Sequence, residues 1–245
     1  MKITVFNGSP RGENGNTHFI VSEFCKGAAD AGAEIEHVFL AKKNIEHCLG
    51  CYACWIRTPG VCVHDDDMKE LNEKFAAADL VVFATPVYID NVTGIMKDFM
   101  DRMIPMANPH FDKDETGECT HTFPNDDARP RKFMVISNCG FPEQSHFQVL
   151  RLLFRRIMRN FSAELVGEIY RGGGEMFRDK NMRASAFVLP YRELLYKAGR
   201  EVVEEGRVSD ETTAALEQPL VPDAMYIHAS NKYWDAELQK IKAKR

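Results

Sequence analysis

Ile3-Thr4-Val5-Phe6-Asn7-Gly8-Ser9-Pro10-Arg11-Gly12-Glu13-Asn14-Gly15-Asn16-Thr17 is the stretch that decides the fold. A short β-type run, Ile3–Phe6, leads into a glycine-rich turn. From Asn16 to Ala31 apolar residues then recur at helical spacing as Phe19, Ile20, Phe24 and Ala28. A strand feeding a helix through such a loop offers free backbone N–H groups and the positive end of a helix dipole, which favour an anion. Ser9, Asn16 and Thr17 add side-chain donors and Arg11 a charge. The loop lacks the Gly-Lys-Ser/Thr ending of a triphosphate loop and the G-x-G-x-x-G spacing of a dinucleotide fold. A plain βα turn with Asn16 or Thr17 as helix N-cap satisfies the same residues.

Outward from this unit the pattern repeats. Ile35–Leu40, Leu80–Ala84, Phe133–Ile136 and Glu164–Tyr170 read as further strands. Met68–Ala77, Gly94–Met103 and Val149–Met158 read as helices between them. Alternating strands and helices predict an α/β fold, a doubly wound, flavodoxin-like sheet of five parallel strands in the order 2-1-3-4-5. Gly172-Gly173-Gly174 marks a boundary. Residues 1–172 are expected to form the ligand-binding domain. Residues 173–245 are expected to form a helical C-terminal extension packed on the core or on a partner subunit, with helices near Arg192–Glu205 and from Ser209 to before Pro219, then a tail. Residues 104–130 are too long for an ordinary connection and read as an insert or flap.

In this strand order the first and third strands are neighbours whose connections diverge, and ligands sit in the crevice at that switch point. The third strand ends in Ala84-Thr85-Pro86-Val87-Tyr88 and the fourth in Ser137-Asn138-Cys139-Gly140-Phe141. One loop suited to a phosphate and two with backbone amides and aromatics suit a flat ring carrying a phosphate, as in flavin mononucleotide. Cys139 is expected to pack under that ring. His146, just beyond, is a candidate proton donor.

The residues quoted, with Cys48-x-x-Cys51-x-x-Cys54, Cys62, Asp66-Asp67-Met68 and Gly94-x-x-Lys97-x-x-x-Asp101-Arg102, carry a resemblance. Over about residues 1–170 the sequence resembles the flavodoxin-like NAD(P)H-dependent FMN reductase superfamily, and within it the iron–sulfur flavoproteins. The resemblance implies FMN, with Ser9, Arg11, Asn16 and Thr17 at its phosphate and Pro86, Val87, Tyr88 and Gly140 around its ring. It also implies a dimer or tetramer. Where relatives carry a further aromatic after the tyrosine, this chain has Ile89-Asp90, and the long C-terminal extension lies outside the shared pattern.

Cys48, Cys51, Cys54 and Cys62 are separated by two, two and seven residues. Three thiolates at consecutive spacings of two can wrap one corner of a 4Fe-4S cluster, with Cys62 as the nearby fourth ligand. Zinc and unligated thiols are the other readings of this loop. Zinc sites more often use two separated cysteine pairs. The cysteine loop, residues 48–62, follows the second strand and so starts on the same sheet edge as the other three loops.

Composition narrows the classes. There are 31 basic and 36 acidic residues, a net charge of −5, which disfavours a nucleic-acid binder. The deficit is local, because residues 108–127 hold six acids against Lys113 alone. That insert is expected near the ligand, where it repels or selects a substrate. No run approaches the ~18 apolar residues of a membrane span. The N-terminus enters structure without a long apolar leader. A cytoplasmic protein follows, with no membrane and no nucleic-acid partner.

Other groups have plainer readings. Asp65-Asp66-Asp67 precede a helix and suit capping. Lys97 with Asp101, and Asp98 with Arg102, stand at i,i+4 and suit surface ion pairs. His110, Cys119 and His121 suit loop residues, Cys25 a core position, and Arg151, Arg155, Arg156 and Arg159 a solvated or subunit-facing stripe. The function expected is an FMN-dependent oxidoreductase moving electrons from NAD(P)H or ferredoxin, with a possible 4Fe-4S cluster, to a small acceptor such as a quinone. The alternatives are an electron carrier without turnover and a zinc or thiol sensor module.

Overall fold

Strand β1 (Lys2–Asn7) is buried on both faces. Side chains alternate across a strand, so Ile3 and Val5 enter one apolar layer and Phe6 the other. The same alternation holds in β3 (Leu80–Pro86) and β6 (Lys132–Asn138). In the computed structural model, which describes residues 1–123 and 132–242, these strands pair in parallel with β2 (Glu34–Phe39) and β7 (Glu164–Arg171). The order is β2-β1-β3-β6-β7. Numbered without the small hairpin of β4 (Phe111–Lys113) and β5 (Cys119–His121), that is the expected 2-1-3-4-5. The fold is flavodoxin-like.

Helix α1 (Asn16–Asp30) covers one face of the sheet. Helices α3 (Met68–Ala76), α4 (Gly94–Asp101) and α5 (Gln148–Asn160) cover the other. A one-turn helix α2 (Ala53–Ile56) sits inside the cysteine loop. Beyond the glycines, α6 is the short Lys180–Arg183. Helix α7 (Leu189–Glu204) then returns to the sheet and packs along α1. Two glycines let the backbones touch. A Cβ on Gly27 would lie 1.9 Å from the Tyr196 carbonyl oxygen, and one on Gly199 2.0 Å from that of Phe24. Tyr191, Leu195, Ala198 and Val202 of α7 and Leu216 of α8 (Asp210–Glu217) share one apolar layer with β1, β3, β6 and α1.

Two elements depart from the sequence reading. The segment after Pro222, read as a tail, is the 20-residue helix α9 (Asp223–Lys242). The described part of the acidic insert forms an exposed hairpin of β4 (Phe111–Lys113) and β5 (Cys119–His121). Residues 124–130 of the insert lie outside the described residues. The hairpin does not lie over the ligand loops. Asp114, Thr116 and Glu118 bind Arg159, and Glu118 also binds Arg156. Thr120 donates to the carbonyl of Asn160, the last residue of α5. That end of α5 leads into the start of β7, so the hairpin sits at the N-terminal edge of the sheet. Two of its acids, Asp114 and Glu118, are paired within the chain with Arg156 and Arg159 of α5.

Candidate functional site

Parallel strands deliver their connecting loops to the carboxyl edge of the sheet, and the first, third and fourth of these loops are hydrogen-bonded together. Gly8 N–H donates to the Ala84 carbonyl and Thr93 Oγ1 to the Gly8 carbonyl, at 2.8 and 2.7 Å. Thr93 also caps α4 by accepting from Met96 N–H, and its own N–H reaches Thr85 Oγ1. Ser137 Oγ donates to the Thr85 carbonyl at 2.7 Å, and Val87 N–H to the Asn138 carbonyl at 2.9 Å. Thr17 Oγ1 closes the ring of contacts by donating to Asn138 Oδ1 at 2.6 Å. Sequence reasoning missed Asn138, Thr85 and Thr93 as parts of this site. The signal available was the Thr93-Gly94 helix start, a normal capping pair.

Within this frame the expected residues fall as follows. Ser9, Asn16 and Thr17 are all buried. Ser9 N–H donates to Asn7 Oδ1. The N-cap of α1 is Gly15, with no side-chain cap, so neither Asn16 nor Thr17 serves as the cap. Both polar atoms of the Asn16 side chain are buried without a partner. Unpaired buried amides are costly, and this one stands at the start of a 15-residue helix, where an anion is favoured. A Cβ on Gly15 would lie 2.6 Å from Ser9 Oγ and 3.2 Å from the Gly12 carbonyl oxygen, so a larger residue there would turn the Ser9 hydroxyl out of its place. Arg11 lies at the surface, 3.6 Å from Glu175.

Pro86 ends β3, and Val87 continues the frame. Tyr88 bridges to Asn91 around Ile89 and Asp90, both with positive φ, 46° and 57°. A β-branched residue in the left-handed region is strained, and such strain collects at functional turns. Ile89 is 97% exposed. On the neighbouring loop Cys139 is buried and donates to the Phe141 carbonyl. Burial pushes its thiol up to about 11, so it is a neutral packing group at neutral pH. Gly140 accepts from Tyr226 Oη at 2.5 Å. Phe141 is exposed and stacks on His146 at 4.4 Å, and His146 also lies 3.4 Å from Glu143. The ten residues expected around the ligand thus lie on the three loops of one edge.

The cysteine loop is built differently. Cys48, Cys51, Cys54 and Cys62 all line one small cleft, together with Asp101, Arg102, Ile104 and Pro105 at the far end of α4. None of the four is joined in a disulfide. Burial pushes the Cys54 thiol up, and Cys62, Cys51 and Cys48 add to the same shift, which marks their proximity. Among the described residues no three Cys, His, Asp or Glu side chains are set to hold a single ion. The thiols surround a space instead of converging on a point. The cleft lies at the end of α4 remote from the three loops, so the shared sheet edge carries only the beginning of this segment.

One ion pair closes the base of the cysteine loop. Arg102 is 1% exposed and grips Asp66 with both Nη atoms, at 2.6 and 3.0 Å. Arg102 Nη1 also donates to the Glu46 carbonyl, and Asp66 accepts from the N–H groups of Glu46 and Met68. Burial alone would raise the Asp66 carboxyl. The Arg102 guanidinium and the two N–H donors outweigh that and hold it below the ordinary carboxylate range. Asp66 thus accepts from the first N–H of α3, as a capping residue does, and is also the buried partner of Arg102. One reading is corrected, because Arg102 does not pair with Asp98, whose carboxylate meets His47 at 2.6 Å. The Lys97–Asp101 pair is present. Asp67 is the N-cap residue of α3, but its carboxylate accepts from Asn44 N–H. Trp55 ties the loop to the insert by donating to the carbonyls of Ile104 and Ala107 and lying 5.1 Å from the His121 ring. Cys25 lies in the core, and burial pushes its thiol up to about 12.

Comparison with known proteins fits this geometry. Residues 1–114 match the model of the NADPH-dependent FMN reductase family. Over 108 residues the chain is 41% identical to an iron–sulfur flavoprotein of Archaeoglobus fulgidus, an alignment covering 44% of this chain and 48% of that one. The chain spans about half the length of the curated relatives it matches. Its fold is similar to an FMN-dependent NADH-azoreductase from Bacillus anthracis, with a TM-score of 0.60 at 15% identity over 83% of this chain and 99% of that one. It is also similar to an NAD(P)H:quinone oxidoreductase from Methanothermobacter marburgensis, with a TM-score of 0.57 at 16% identity over 84% and 99%. Among the described residues no helix is long and apolar enough to cross a membrane. Residues 1–114 are thus similar to the NADPH-dependent FMN reductase family, and the curated relatives matched over that stretch include several iron–sulfur flavoproteins.

Proposed function

We propose that the chain is an FMN-dependent oxidoreductase that takes electrons from NAD(P)H and delivers them to a small acceptor such as a quinone. The observation that carries this reading is the set of three loops stitched together at one sheet edge, with the Asn16 amide buried and unpartnered at the start of α1. Bound FMN supplies two-electron chemistry toward a nicotinamide and one-electron chemistry toward other carriers. The protein contributes position. Ser9, Arg11, Asn16 and Thr17 hold the phosphate, and Pro86, Val87, Tyr88, Gly140 and Phe141 border the ring over Cys139. His146, stacked on Phe141, is the proton donor of this arrangement. Ile89, exposed at its strained turn, takes the place of an aromatic on the substrate side.

Cys48, Cys51, Cys54 and Cys62 would hold a 4Fe-4S cluster in their common cleft, fixed by the Arg102–Asp66 pair at the base of the loop. Four cysteines lining one cleft suit a cluster. Cys48 and Cys51 are exposed, which favours a protein donor such as reduced ferredoxin, docking on that loop, as a second route for electrons.

Anaerobic purification followed by a visible spectrum and assays for released FMN and iron tests both parts. About one FMN per chain, with steady-state NADH or NADPH oxidation in the presence of a quinone, is the expected result. Bound FMN without turnover would assign the chain as an electron carrier. A colourless protein that takes up no FMN but binds zinc would assign the cysteine loop to a sensor. Loss of iron with retention of FMN in Cys54→Ser would place the cluster on the cysteine loop.

A further inference from the structure

We propose that Arg171 and Tyr191 form a binding site for the carboxylate group of a small ligand, in the cleft between the loop after β6 and the connection from α8 to α9. Arg171 is the last residue of β7 and is 2% exposed. It lines that cleft beneath Pro142, Pro219 and Leu220. Its guanidinium lies 4.2 Å over the Tyr191 ring, and Nη1 donates to the Gln218 carbonyl at 2.8 Å. Nε and Nη2 are buried without a hydrogen-bond partner, and so is the Tyr191 hydroxyl. Among the described residues no carboxylate is hydrogen-bonded to this charge. The acids next to the cleft in the chain are engaged elsewhere. Glu217 binds Arg151 at 2.6 Å, Glu175 lies 3.6 Å from Arg11, and Glu143 lies 3.4 Å from His146.

A buried charge is stable only when paired, and here the pairing edge is open. Nε and Nη2 form the side edge of the guanidinium, which takes a planar oxyanion by two parallel hydrogen bonds. The nitrogen outside that edge, Nη1, is the one already used. The Tyr191 hydroxyl adds a third donor. Burial pushes its titration up and outweighs the pull of the Arg171 charge, so it is protonated at neutral pH. One guanidinium neutralises one charge, and Pro142, Met176, Leu220 and Val221 make the walls apolar. A monoanionic carboxylate suits such a place, whereas a phosphate dianion would bring a second, uncompensated charge. The outer wall, residues 218–221, is exposed or half-buried and has no helix or strand, so the head of a ligand enters there. The inner wall is backbone. A Cβ on Gly172 would lie 2.2 Å from the Pro142 carbonyl oxygen, and Gly173 N–H donates to the Phe141 carbonyl. The site thus shares the loop of residues 140–142 with the sheet edge, without depending on what that edge binds.

Thermal unfolding of the full chain in increasing sodium acetate tests the assignment, with ionic strength held constant by a bulky sulfonate. FMN added to every sample keeps the sheet edge out of the readout. The midpoint should rise with acetate, and with the logarithm of its concentration once the site fills. Arg171→Met should stay folded, because it removes the buried charge itself rather than a partner, and should lose the acetate response. Arg171→Lys keeps the charge without the fork and should weaken acetate about tenfold. Tyr191→Phe should weaken it about threefold. No rise in the wild type, an equal rise in Arg171→Met, or a larger rise with inorganic phosphate or chloride than with acetate would overturn the inference. Should Arg171→Met fail to fold, acetate binding unchanged in both Arg171→Lys and Tyr191→Phe would overturn it.

Discussion

The carboxyl edge of the sheet and the cysteine loop hold their functional residues by opposite means. At the sheet edge many neutral hydrogen bonds, from Gly8, Thr17, Val87, Thr93 and Ser137, join three short loops that the strands already place side by side. Along the cysteine loop, regular structure among the described residues is limited to a single helical turn between Lys43 and Met68. Its base holds one buried charge pair, Arg102 with Asp66, beside the Asp67 bond to Asn44 and the Trp55 bonds to Ile104 and Ala107. The lesson is one of redundancy. A frame of many bonds loses little when one is removed, whereas a buried charge pair concentrates much of a loop's dependence on two residues.

The sharpest way to break this contrast is Asp66→Ala. It leaves the Arg102 guanidinium buried without its carboxylate, and breaking a buried pair from one side costs roughly 3–5 kcal/mol. Urea unfolding should show that loss, and the four thiols should become more reactive toward a maleimide. At the other region Gly15→Ala should be damaging, because the new Cβ falls 2.6 Å from Ser9 Oγ and 3.2 Å from the Gly12 carbonyl oxygen. Overpacking of this kind costs about 1–3 kcal/mol. FMN affinity should fall with it while maleimide reactivity stays unchanged. Thr93→Val removes the α4 cap and the bond to Gly8, with an expected loss of about 0.5–2 kcal/mol and a smaller effect on FMN affinity than Gly15→Ala.

A titration sharpens the same comparison. The Asp66 carboxyl is held low in the folded chain. Its contribution is therefore fully present above the ordinary aspartate value of about 3.9 and is lost as pH falls through the lower folded value. Stability measured from pH 7 downward should decline in the wild type below that ordinary value. In Asp66→Asn this part of the slope should be absent. Because the sheet edge is joined by neutral groups, Thr93→Val should shift the whole curve without changing that slope.

The sheet and the sheet-edge loops were legible in the sequence, and the reason is burial. Strands such as Leu80–Pro86, covered on both faces, must be continuously apolar, and the turns between them must carry glycine, proline and small polar residues. What escaped depends on partners distant in the chain. Arg102 reads locally as a companion of Asp98 four residues away, yet the buried Asp66 takes it. The β4–β5 hairpin has only three residues per strand and owes its position to Arg156 and Arg159 of α5. Helix α9 read as a tail because its two apolar faces, one toward its own subunit and one toward solvent, blur a single amphipathic pattern. The four cysteines were legible by spacing, but their distance from the sheet-edge loops follows from the path of residues 43–67, which no local rule dictates.

The most direct test of the central claim is a titration of the flavin-free chain with FMN, followed by quenching of flavin fluorescence, alongside Gly15→Ala and Asp66→Asn. The account expects saturation near one FMN per chain, weakened binding in Gly15→Ala, and wild-type binding in Asp66→Asn. No quenching by the wild-type chain, or equal binding by wild type and Gly15→Ala, would contradict it.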